Sequence, residues 1–129
     1  ANCFGIKSIV ISRYHQASVT AAVCKASSGT VFHMNIYETT NIGKSAEEMK
    51  SEGYKIYAAD IDGDVYLNDL RFSGKSAIIL GSEGKGVRPG IMERSDVVFK
   101  IPMSGDIDSL NVSQSASIVF YSMFSNIEL

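Results

Sequence analysis

A chain of 129 residues is the usual size of one compact domain, long enough to bury about two thirds of its unfolded surface on folding. Apolar residues make up 45% and charged residues 20%, with eleven glycines and only two prolines, which excludes a disordered chain, a collagen-like repeat and a low-complexity linker. The longest apolar runs, such as residues 77–80, fall far short of the ~18 needed to cross a bilayer, so no membrane partner is expected. The net charge of −2 argues against a domain held to nucleic acid by bulk electrostatics, and leaves room only for a local basic patch. Residues 1–50 carry five Lys/Arg against three acids, whereas Asp60, Asp62, Asp64 and Asp69 concentrate negative charge in mid-chain, a stretch a polyanion is expected to avoid. Neither a basic leader nor a long apolar core follows Ala1, so the expected address is cytoplasmic. Cys3 and Cys24 are too few and too dispersed for a disulfide framework or a metal cage, and both are expected to be reduced.

In chain order, residues 6–11 form a short β-branched run that reads as a strand buried on at least one face. Residues 17–27 are good helix formers stopped by Ser28 and Gly29. Strand character returns at 31–37, and Ser45 with Glu48 three residues on reads as a capping box opening a helix that ends at Gly53. Residues 54–59, 77–80 and 97–101 are three further short strands, the last stopped by Pro102. From Val112 onward, Ala116, Val119, Phe120, Met123, Phe124 and Ile127 recur at helical spacing, so the chain closes with an amphipathic helix. Helices alternating with short buried strands imply an α/β fold with a largely parallel sheet, in a single domain over residues 1–129.

Three motif candidates fail on their spacing. Asp60, Asp62 and Asp64 begin like a calcium loop, but Val65 stands where the glycine belongs and Arg71 where the bidentate glutamate belongs. A solvated acidic turn is the better reading. Gly74-Lys75-Ser76 resembles the end of a phosphate-binding loop, yet Asp69 replaces its first glycine and the apolar strand follows rather than precedes. Gly84-Lys85-Gly86 does not extend to a dinucleotide fingerprint, because Pro89 takes the third glycine's place. His15 and His33 lie far apart without an acid partner at a useful spacing, and read as ordinary surface or half-buried histidines; no metal is expected.

Two segments stand apart. Strand residues 78–80 run into Gly81-Ser82-Glu83-Gly84-Lys85-Gly86-Val87-Arg88, and Ile101-Pro102-Met103 runs through a polar loop into Ser109-Leu110-Asn111-Val112-Ser113. In a parallel sheet, ligands sit beyond the carboxyl ends of the strands, so both loops are expected to face one crevice. Glycine at 81, 84 and 86 lets main chain approach a ligand, with the Glu83 carboxylate in the middle of that frame. Ser109 and Asn111 stand at the entrance to the last helix, where free N–H groups favour polar or anionic contacts and where Asn111 can equally serve as a helix cap.

Together these segments resemble the second and third signature motifs of the SpoU (TrmH-like) RNA ribose 2′-O-methyltransferases of the SPOUT superfamily. The order and spacing of 81–88, 101–103 and 109–113 match, and residues 2–6 and 25–30 look like the family's earlier region, so the likeness covers essentially the whole chain. The stretches at 25–30 and 109–113 look most like the bacterial enzymes that methylate a guanosine ribose in 23S rRNA; tRNA-directed relatives share the motifs. The resemblance implies a C-terminal trefoil knot, S-adenosylmethionine as cofactor, RNA as partner and a homodimer paired through terminal helices. It places Gly81, Ile101 and Leu110 at the cofactor, mostly through main-chain atoms, with Met103 in the same loop. Glu83, Ser109 and Asn111 match polar residues near the reacting end, and Lys85 and Arg88, with Arg94 further on, are the candidate phosphate contacts. The family's first motif carries a catalytic arginine just upstream of the stretch that here begins at Ala1; the chain is therefore expected to lack that arginine and any RNA-binding extension at that end. A non-catalytic S-adenosylmethionine-dependent RNA-binding factor, and a nucleotide-binding α/β domain without an RNA partner, are the alternative readings.

Overall fold

The computed structural model describes residues 1–14, 18–106 and 109–126, which cluster into two compact units divided after Ile42. His15, Ala17 and Ile127, named in the sequence reading, lie outside the described residues. The architecture is α/β, with parallel sheets flanked by helices.

In the first unit a 3₁₀ turn at Asn2–Phe4 leads into β1 (Ser8–Ser12), then α1 (Ala21–Ala26), a second 3₁₀ turn at Thr30–His33 and β2 (Asn35–Thr39). β1 and β2 pair in parallel, with Val10 opposite Tyr37. Helix α1 starts at 21 because Thr20 caps it, its hydroxyl accepting the Val23 N–H at 3.3 Å. The expected stop holds. Ser28 (φ 50°) and Gly29 (φ 78°) reverse the chain, and the Gly29 N–H bonds the Cys24 carbonyl at 2.9 Å. That reversal also corrects the expected strand at 31–37: the chain first winds through a 3₁₀ turn, with the Met34 N–H on the Val31 carbonyl at 3.2 Å, and becomes a strand only from Asn35.

The second unit carries α2 (Ile42–Ser51) from its second residue on, β3 (Lys55–Ala59), the short β4 (Val65–Tyr66), a 3₁₀ turn at Leu67–Asp69, β5 (Ser76–Leu80), α3 (Pro89–Met92), β6 (Val97–Lys100) and α4 (Val112–Ser125). Helix α2 starts three residues before Ser45, since its apolar seam at i, i+4, i+7 already begins with Ile42, Ala46 and Met49; Ser45 lies in its first turn rather than capping it. Four strands form a parallel sheet in the order β4-β6-β3-β5, with Ala59 opposite Leu80 on one side and Phe99 on the other. The central strand is the most buried, Ile56, Tyr57 and Ala58 being no more than 1% exposed, as expected of a parallel strand covered on both faces. Phe72 joins its ring to Tyr57 at 5.0 Å between centroids and meets Phe99 edge-on at 6.4 Å.

The apolar stripe of the last helix divides between two faces. Val119 and Met123 enter the unit's own core, while Ile118, Tyr121 and Phe124, at successive three-residue steps, are exposed, the last two at 60%. At the opposite edge from the strand ends, Asp96 fastens β6 to β3: its carboxylate accepts the Ile56 N–H at 2.7 Å and the Lys50 ammonium at 2.8 Å. Those two donors, Ile56 first, hold the Asp96 carboxyl below its ordinary range despite partial burial pushing the other way.

Candidate functional site

Because β3, β5 and β6 run parallel, their carboxyl ends lie on one edge of the sheet, and the three chain segments that leave them meet there. Between them is a cavity of about 600 Å³, a volume usual for a small-molecule site. Its walls are the turn after β3, the loop after β5, and the segment between β6 and α4.

The loop after β5 is folded on its own backbone. Ser82 and Gly86 exchange both main-chain hydrogen bonds, at 3.2 and 3.0 Å, and the Lys85 N–H adds a third to the Ser82 carbonyl at 3.3 Å. Gly84 (φ 77°) and Gly86 (φ 63°) supply the positive φ values that such a tight return requires. Gly81 is needed for loop packing as well: a Cβ there would meet the Gly86 carbonyl carbon, its oxygen at 2.5 Å and the Val87 nitrogen at 2.6 Å. The loop packs back onto the strand end that it leaves.

Of the residues to which the resemblance gives a site role, seven line this cavity: Gly81, Glu83, Lys85, Ile101, Met103, Ser109 and Leu110. Asn111 joins them through its side chain. Its Nδ2 donates to Glu83 Oε1 at 2.8 Å, and its Oδ1 accepts the Ser113 N–H at 2.9 Å and the Ser113 hydroxyl at 2.6 Å. Asn111 therefore caps α4, as the sequence allowed, and also orients Glu83. Arg88 is exposed just beyond the loop, immediately before Pro89 opens α3, and is not part of the cavity wall. Arg94 pairs with Glu47, its Nε on Glu47 Oε1 at 2.6 Å, and does not line the cavity.

The acidic stretch does not avoid the site. Asp60 and Asp62 line the same cavity as Lys85, because the turn that carries them leaves the end of β3, the central strand. Asp60 is the residue that sequence reading passed over as a solvated turn. One oxygen accepts the Val87 N–H at 2.9 Å and the other the Asp62 N–H at 3.2 Å. In sequence Asp60 directly follows the apolar run 56–59 at a strand's carboxyl end, which marks the position but not what the carboxylate faces. Among the described residues no three His, Cys, Asp or Glu side chains converge as a metal cage would, and no helix is long and apolar enough to cross a membrane.

With this geometry in place, comparison with known proteins is specific. The sequence profile of the SpoU rRNA Methylase family matches residues 1–121. A Staphylococcus haemolyticus protein assigned to the TrmH family of tRNA/rRNA methyltransferases is 32% identical over 124 residues, 96% of this chain and 50% of that protein. The chain thus spans about half the length of the curated relatives it matches. Among solved structures, the A. aeolicus TrmH/SpoU tRNA modifying enzyme superposes with a TM-score of 0.85 at 23% identity, over 97% of this chain and 64% of that one. The SpoU methyltransferase AviRb of Streptomyces viridochromogenes, solved in complex with AdoMet, gives 0.85 at 19% identity, over 96% of this chain and 51% of that one. These likenesses establish the α/β fold.

Proposed function

The chain belongs to the SpoU rRNA Methylase family, and from that premise we propose that it binds S-adenosylmethionine in the cavity beyond β3, β5 and β6 and serves methyl transfer to a ribose 2′-hydroxyl of RNA. The observation that carries this reading is the meeting, at one cavity, of the two segments 81–88 and 101–113 that resemble the family's motifs. The residues fit the cofactor: a glycine-framed main-chain wall at Gly81 and the apolar Ile101, Met103 and Leu110 suit a nucleoside, and the carboxylates of Asp62 and Glu83 suit a cation. When bound, S-adenosylmethionine supplies an electrophilic methyl group on a positively charged sulfur.

In the proposed reaction the ribose 2′-oxygen bonds to that methyl carbon, the carbon–sulfur bond breaks with its electron pair going to sulfur, and the hydroxyl proton passes to a base. Glu83, Ser109 and Asn111 are proposed at the reacting end, where the Asn111 amide fixes Glu83 Oε1 and so limits the rotamers available to that carboxylate. The resemblance also assigns an activating arginine from the family's first motif, so methyl transfer is assayed with a longer chain carrying that motif as well as with residues 1–129. Lys85 and Arg88, both exposed, are proposed to neutralise phosphates flanking the target ribose. A guanosine of 23S rRNA is the proposed target, with cytoplasmic placement to match, and the C-terminal trefoil knot is part of the same reading. The exposed Ile118, Tyr121 and Phe124 face of α4 supports pairing of two copies, a state that light scattering reads directly.

Isothermal titration of residues 1–129 with S-adenosylmethionine, S-adenosylhomocysteine, ATP and NAD tests the first step. Uptake of the first two in preference to the others is the expected outcome; preference for ATP or NAD, or no uptake of any, overturns the reading. In the extended protein, methyl label should appear in 23S rRNA rather than tRNA, and the Lys85→Ala, Arg88→Ala double variant should bind RNA more weakly at low salt.

A further inference from the structure

We infer that Asp60 is a positioning residue of this site, its carboxylate fixing the 81–88 loop in the shape that admits the ligand; the inference rests on the cofactor reading above. Asp60 stands at the meeting point of three strand ends. It follows the last residue of β3, its own N–H bonds the Phe99 carbonyl in β6 at 2.9 Å, and its side chain bonds Val87 in the loop that leaves β5. Its backbone carbonyl also accepts the Gly63 N–H at 3.1 Å, which closes the turn beneath it.

The fit between carboxylate and loop is sterically selective. A Cβ on Gly86 would lie 2.6 Å from Asp60 Oδ2, so the absent side chain at 86 is what lets that oxygen reach the next N–H. Val87 is 4% exposed, so without Asp60 its N–H would be left buried and unpaired, a state that loops rearrange to avoid. The rearrangement would fall on the wall that Gly81 and Glu83 share. Asp60 touches the loop rather than the ligand in this scheme, and acts by holding main chain in place.

Asp60→Ala and Asp60→Asn, made in the whole chain, are titrated with S-adenosylhomocysteine while amide exchange is followed at Val87, Ile56 and Ala58. Asp60→Ala should bind roughly tenfold more weakly or worse, with faster exchange at Val87 and unaltered exchange at Ile56 and Ala58. Asp60→Asn keeps one acceptor oxygen and should recover part of the affinity. Wild-type affinity in Asp60→Ala overturns the inference, as does exchange accelerated equally along β3, which would make Asp60 a support of the fold in general. Asp60→Asn as weak as Asp60→Ala with Val87 still protected would also overturn it, since charge rather than position would then set affinity. If the unaltered chain takes up no S-adenosylhomocysteine, the cofactor reading falls by itself, and unchanged Val87 exchange in Asp60→Ala still refutes the role given to Asp60.

Discussion

The loop at 81–88 closes on itself through paired backbone hydrogen bonds between Ser82 and Gly86, whereas the segment from Ile101 to α4 is fastened, among the described residues, by one side chain at its far end, Asn111. Both walls face the same cavity. The first is preformed, its shape set by the conformations that only glycine adopts cheaply and by the space left where Gly81 lacks a Cβ. The second, among the described residues, is tied at its helix end by the Asn111 cap, whose amide also reaches across to Glu83. Two walls of one site therefore fail in different ways: the glycine loop by steric displacement or by loss of the Asp60 link to Val87, the capped segment by loss of the Asn111 amide.

The preformed wall should be the more sensitive to substitution. Gly81→Ala places a Cβ within 2.5 Å of the Gly86 carbonyl oxygen and 2.6 Å of the Val87 nitrogen, both backbone atoms that no side-chain rotation can clear. The loop must shift, and S-adenosylhomocysteine affinity is expected to fall roughly 10- to 100-fold, Gly81→Val further still, while the melting temperature changes little. Calorimetric titration beside a thermal melt separates these readouts, and near-native affinity in Gly81→Ala would show that ligand binding does not depend on this wall.

Asn111 allows its two roles to be split. Asp is as good an N-cap as Asn and suits the positive end of the helix dipole, but it would set a carboxylate against Glu83 where an amide now donates at 2.8 Å. Asn111→Asp should therefore melt within about 2 °C of the unaltered chain yet bind the cofactor analogue a few-fold more weakly. Asn111→Ala loses both functions, and the missing cap alone should cost about 1 kcal/mol, or about 3–6 °C. Equal affinity in Asn111→Asp and the unaltered chain would remove Glu83 from the binding wall.

The same contrast explains what the sequence made legible. Strands 55–59, 76–80 and 97–100 were readable because each carries a short apolar run bounded by polar residues. The loops were readable because glycine-rich returns and a Ser-Leu-Asn helix entrance follow two of those runs directly. β4 escaped, since two residues at a sheet edge leave no periodicity, and so did α3, whose single turn is too short to show a repeat. Asp60 escaped for a different reason: its hydrogen bond to Val87 spans 27 positions, and nothing local in an Asp-Ile-Asp-Gly turn distinguishes a carboxylate facing solvent from one facing a loop. The Arg94 pairing with Glu47 is likewise a property of tertiary neighbours that charge counting along the chain cannot supply.

The smallest expected effect lies at the far end of the same strands and serves to bound the comparison. Asp96 binds the Ile56 N–H and the Lys50 ammonium at the amino end of β6, away from both loops, so it should influence stability without influencing affinity. Its carboxyl is held below the ordinary value of 3.8, chiefly by the Ile56 N–H and then by Lys50. The folded chain therefore releases this proton more readily than the unfolded chain. The contribution is fully present above the unfolded value near 3.8 and is lost as pH falls through the lower folded one. Asp96→Asn should accordingly melt below the unaltered chain at neutral pH, and the gap should close as melts are repeated at progressively more acid pH. With Lys50 and Asp96 both partly open to solvent the gap is modest, a few degrees at most. S-adenosylhomocysteine affinity at neutral pH should stay within about twofold of the unaltered chain. A melting gap that persisted unchanged into acid would mean that packing at Asp96, rather than its charge, ties β6 to β3. A fall in affinity as large as that of Gly81→Ala would mean that the two ends of the sheet are coupled, and that the loop wall is not as self-contained as its backbone bonds make it.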